Sequence, residues 1–91
     1  MASLMQHSAA TAERPVYFVS DRPEAYEYWG EIDHDTAARI GRLIAERAGH
    51  RFPDIEFRVD ASWHMHQPGT EGVAEFIEQQ LPAWVEEVLG E

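Results

Sequence analysis

Ninety-one residues with 44% apolar side chains, among them three Trp, three Tyr and four Phe, can build one small core but not two. The absence of cysteine excludes a disulfide framework, a thiolate metal site and a cysteine nucleophile. Seventeen acids against seven bases, all arginine, give a net charge of −10 that repels phosphate and anionic lipid, so direct nucleic-acid or membrane binding is not expected.

No run of eighteen apolar residues exists to cross a membrane. Residues 1–14 have neither the basic start nor the apolar stretch of a secretory signal. They are small, polar and without period, which predicts a disordered tail ahead of a single domain over 15–91, in a cytoplasmic protein. Pro15 opens Val16-Tyr17-Phe18-Val19-Ser20, a β-branched and aromatic run of strand length. Asp21-Arg22-Pro23-Glu24 is turn chemistry. In the segment 25–32, Tyr26, Tyr28 and Ile32 share a parity and could pair back on the first strand as a hairpin; a helical turn or aromatic loop is the alternative.

Asp33 to Thr36 supplies capping oxygens, and Ala37, Ile40, Leu43, Ile44 and Ala48 recur at helical spacing, with Gly49 at the position of a left-handed C-cap. Ile55 to Met65 then alternates apolar and polar residues for eleven positions and predicts one long strand. After the Pro68-Gly69 break, Thr70 is placed to cap a second helix whose apolar stripe runs from Val73 to Leu89. Pro82 predicts a kink or two abutting helices. The expected fold is α+β in the order β(β)αβα: a small antiparallel or mixed sheet of two or three strands with two helices packed on one face.

Chemistry is sparse. On the long strand His64 and His66 would project side by side, with Asp60 on the same face. Together with a ligand from elsewhere they could hold a divalent metal, the one candidate cofactor. The same two histidines, with Asp60, are also the only basis for a small metal-dependent or acid–base enzyme. His64 and Asp60 lie roughly 13 Å apart along a strand, so they form no dyad by themselves. A phosphate loop, a nucleophile elbow and any lysine are all missing, and no catalytic residue is assigned. The aromatics Tyr26, Tyr28, Trp29 and Trp84 read either as anchors for a partner or as filling for a thin core. If the stripe around Trp84 exceeds what a small sheet covers, the remainder would make a homodimer seam or docking groove.

Arg39 to Ile44, followed by Arg51-Phe52-Pro53-Asp54-Ile55-Glu56-Phe57-Arg58-Val59 and an acidic last helix, resembles the DinI-like family, small bacterial SOS-response proteins that modulate the RecA filament. The resemblance implies an α/β layout in which a helix feeds a Phe-Pro-Asp turn and a strand. It also implies that Glu75, Glu78, Glu86 and Glu87 imitate DNA phosphate. The tail, the Tyr/Trp-rich segment, Pro82 and the His-x-His pair depart from that pattern.

The expectation drawn from these features is a non-enzymatic, acidic interaction or regulatory module that binds a protein partner or itself. The enzyme and the acidic nucleic-acid mimic are the alternatives.

Overall fold

Strand β1 (Val16–Ser20) and strand β2 (Glu56–Asp60) lie side by side, and the eighteen-residue helix α1 (His34–Arg51) joins them. A helix of that length carries the chain back along the sheet to the end from which β1 started, so β2 must run parallel to β1. Val16 pairs with Glu56, and the register holds through to Ser20 opposite Asp60. The structure, a computed structural model, describes residues 14–61 and 66–91. All but Arg14 of the expected tail, and Ser62 to Met65 of the expected long strand, lie outside the described residues.

Among the described residues the sheet has two strands and is parallel, which corrects the antiparallel or mixed sheet expected. No hairpin forms over 25–32, because Pro23–Trp29 is a 3₁₀ helix, added to the two α-helices anticipated. Pro23 at its first turn presets φ and needs no N–H partner there. Of the expected long strand, β2 holds the five residues Glu56–Asp60, and the described flanks Ile55 and Ala61 lie outside it. A strand continues only where a neighbour accepts its hydrogen bonds, and β1 ends opposite Asp60, so the backbone bends at Ala61. At its start, the Ile55 N–H donates to the Phe52 carbonyl and closes the Pro53-Asp54 turn.

Helix ends differ from expectation as well. α1 runs through Gly49 and is closed at Phe52, whose N–H donates to the Ala48 carbonyl; Pro53 disfavours helix at the residue before it. Asp33 does cap α1, its carboxylate accepting the Thr36 N–H at 2.8 Å. Helix α2 (Val73–Leu89) is capped by Gly72 with φ +85°, not by Thr70, whose hydroxyl donates to the Gln67 carbonyl. α2 passes through Pro82 as one helix, and Pro82 and Glu78 both sit on the exposed side, where water can satisfy the carbonyl that Pro82 leaves unbonded.

α1 packs on both strands, on the 3₁₀ segment and on α2. Its stripe of Ala37, Ile40, Ile44 and Ala48 is buried against Val19 and Tyr26 on one side and Val73, Ile77, Trp84, Val85 and Val88 on the other. At the wet edge of the helix pair, Arg47 donates to both carboxylate oxygens of Glu87 at 2.9 and 2.6 Å, and Arg39 pairs with Glu91. Gly41 is where α1 comes closest to the sheet. A Cβ there would lie 2.8 Å from the Ser20 carbonyl oxygen and 3.3 Å from Val59 Cγ1.

Gly41 and Gly49 therefore respond in opposite directions to the same substitution. Alanine in a helix interior ordinarily gains up to about 1 kcal/mol over glycine. Gly49→Ala should raise the melting temperature, since its Cβ meets only Phe57 at 3.8 Å, while Gly41→Ala should lower it by forcing helix and sheet apart. Thermal unfolding followed by circular dichroism measures both.

Candidate functional site

The 3₁₀ segment decides which aromatic side chains face solvent. A 3₁₀ helix has three residues per turn, so Pro23, Tyr26 and Trp29 stack on one face. That face lies against the core: Tyr26 is 3% exposed, and Pro23 and Trp29 are half-buried. The Tyr26 hydroxyl donates to the Ser20 carbonyl at 2.5 Å, tying the segment to the end of β1. Burial, and secondarily the Asp21 carboxylate, push the Tyr26 phenol above its usual value.

Tyr28 falls between these positions and points out, 88% exposed, its ring edge-on to Trp29 with centroids 5.1 Å apart. Its chain neighbour Glu27 helps to line a shallow groove of about 690 Å³, together with Pro23, Glu24, Gly30, Glu31, Ile32, Asp33 and His34. Through Glu31, Ile32 and Asp33 the groove meets a second depression of about 520 Å³ that ends at Leu89, itself 47% exposed. Tyr28 and Leu89 are the large hydrophobic side chains most exposed among the described residues. Glu24 has Arg22 at 3.7 Å, whereas Glu27 and Glu31 make no ion pair among the described residues. Hydrogen bonding to Thr36 holds the Asp33 carboxyl below its usual range, so that acid is charged and committed to the helix cap.

The other aromatics expected as anchors are placed differently. Trp84 is 7% exposed and stands edge-on to Phe76 at 5.9 Å in the core, so it and Tyr26 are corrected from partner-binding candidates to core residues. Side chains this deeply buried leave a partner little area to cover. Only Tyr28, with Trp29 half-open behind it, keeps the expected role available.

Of the metal candidates, His64 lies outside the described residues. Asp60 ends β2 on the face of Glu56 and Arg58, whereas the His66 ring stacks at 3.8 Å on Tyr17, which shares the opposite, helix-side face with Phe57. The two residues that the long strand would have aligned are thus separated by the sheet. Among the described residues no group of three His, Asp or Glu side chains could hold a metal ion. Of the acids on α2 that could imitate phosphate, Glu87 is engaged by Arg47, which lowers its pKa, while Glu75, Glu78 and Glu86 are exposed. No described helix is long and apolar enough to cross a membrane.

The sequence reading missed the groove with its member Glu31 and the adjoining depression that ends at Leu89. The available signal was the spacing of Pro23, Tyr26 and Trp29, which is three, not two.

Tyr26→Phe should cost about 1–2 kcal/mol, because the Ser20 carbonyl loses its donor. The raised phenol pKa fixes the sign of the pH effect. The contribution is complete below the unfolded value of 10.0 and is lost as pH climbs toward the higher folded value. Chemical denaturation between pH 8 and about 11 should therefore show a shallower alkaline loss of stability in the variant than in the parent protein.

No protein-family model matches the chain, and comparison with curated proteins and with solved structures found no similar one.

Proposed function

We propose that this protein is a non-enzymatic docking module that binds a basic protein segment at the surface formed by Tyr28, Trp29 and the adjoining groove. The observation that carries the reading is Tyr28, an aromatic side chain left 88% exposed, whose chain neighbour Glu27 is one of the carboxylates lining the groove. Folding gains nothing from such a ring in water, whereas an interface gains a large, stiff contact area at small entropy cost. Trp29 stands edge-on behind Tyr28 and limits the positions its ring can take.

Charge selects the partner's chemistry. Glu27 and Glu31 are unpaired by any described residue, and the whole chain carries −10. A segment with arginine or lysine beside an apolar side chain would put its cations on these carboxylates and its apolar group over Ile32 and Leu89. The long-range field would then speed encounter, and the buried ring would slow release.

Capture on the immobilised protein from a lysate of the source organism provides the test. A basic partner should be retained at about 0.1 M salt and weakened at about 0.5 M, where the Debye length halves. Tyr28→Ala should cut the affinity roughly ten- to hundredfold, the range for losing an interface aromatic. Arg42→Ala, exposed on α1 and outside the groove, should leave binding unchanged. Retention undiminished by Tyr28→Ala would refute the reading.

A further inference from the structure

The two edges of the sheet are not equivalent. The Glu56 N–H donates to the Pro15 carbonyl at 2.8 Å, so in the parallel ladder Glu56, Arg58 and Asp60 turn their backbone groups toward β1. Phe57 and Val59 must turn theirs the other way, to the far edge of β2. On β1 both ends of the outward edge are engaged: the Gln67 side chain accepts the Val16 N–H at 3.2 Å, and Tyr26 donates to the Ser20 carbonyl. No described residue bonds the outward N–H and C=O of Phe57 and Val59. An open edge of this kind is a template for another strand.

We infer that the β2 edge pairs with the β2 edge of a second copy of this chain, antiparallel, about a two-fold axis at Phe57. Charge complementarity supplies both the occupant and the register. Glu56 and Arg58 sit on one face of β2, two residues apart and paired to each other at 2.7 Å. With Phe57 opposite its own counterpart, Glu56 of each copy faces Arg58 of the other, so two opposite-charge cross-strand pairs form at once. On the helix-side face Phe57 meets Phe57, and Ile55 meets Val59.

The backbone fits the same register. The two Phe57 residues exchange N–H···O=C bonds, and each Val59 N–H reaches the Ile55 carbonyl of the other copy. The Ile55 N–H stays bound to Phe52 within its own chain, so each Val59 carbonyl, at an end of the new ladder, is left to water. An axis at Arg58 would instead oppose Arg58 to Arg58 and Glu56 to Asp60, which is repulsive. An axis at Val59 would set Arg58 against Asp60 but overlap only the last three strand residues. Charged residues on an edge strand ordinarily discourage pairing; in the register centred on Phe57, these two attract. The result is a four-stranded sheet, β1-β2-β2-β1, with the helices of both copies on one face.

Analytical ultracentrifugation of the full chain and its charge variants tests the pairing. The parent protein should sediment as a dimer. Glu56→Arg and Arg58→Glu should each weaken dimerisation at least about tenfold, because each turns both cross-strand pairs into repulsions. An equimolar mixture of the two variants should re-form a dimer, since every Arg then faces a Glu, and so should the double variant E56R/R58E. Recovery in the mixture also shows that the single variants are folded. A parent protein that stays monomeric to about 1 mM would overturn the inference, as would a dimer indifferent to Arg58→Glu. Loss with Arg58→Glu but not with Glu56→Arg would overturn the register, because only pairing of Arg58 with Asp60 behaves that way.

Discussion

The close seating of α1 on the sheet at Gly41 is the contact on which the rest of the structure depends. Two parallel strands alone would not hold together in water, since they bury little and have no turn joining them. α1 serves as their connection and as the cover of one face, and it carries the stripe onto which α2 and the 3₁₀ segment pack. A helix can lie that low only where a side chain is missing, and the Ser20 carbonyl and Val59 occupy the space a Cβ would need. The arginines at its wet edge, Arg47 and Arg39, then meet Glu87 of α2 and Glu91 just past its end. Exposed pairs of this kind orient the second helix more than they stabilise it.

Seating α1 in this way also determines what remains outside. The 3₁₀ segment must lie against the N-terminal half of α1, and its period of three sends Tyr26 and Trp29 inward and Tyr28 outward. The crossover makes the sheet parallel, and the hydrogen bonds of Gln67 and Tyr26 fall on the β1 side, so that among the described residues the open edge is that of β2. The groove at Tyr28 and the edge at Phe57 involve different elements, so a dimer joined at β2 would present two copies of the groove.

The helices were legible in the sequence because their apolar stripes are long: Ile40 and Ile44 in α1, and Val73 through Val88 in α2, are buried as their spacing requires. Strand direction was not, because nothing local to Val16–Ser20 or Glu56–Asp60 records which way the neighbour runs. The alternation misled at Ala61, where the backbone bends, for a related reason. Period two is necessary for a strand, but a strand also needs a partner, and β1 ends at Ser20. At the candidate site, Tyr26 and Tyr28 share a parity and so read as one face of a hairpin, whereas at three residues per turn they face apart. The burial of Trp84 follows from its place on the α2 stripe. The exposure of Tyr28 and Leu89 depends on how far the core extends, which is a property of the packed whole.

The most direct test replaces Tyr28 with a photo-crosslinking phenylalanine analogue in cells of the source organism, with the same replacement at exposed Ala83 on α2 as the control position. A docking surface at the 3₁₀ segment predicts a discrete adduct with one basic protein from position 28 and none from position 83. No adduct at position 28, or the same adducts from both positions, would contradict it.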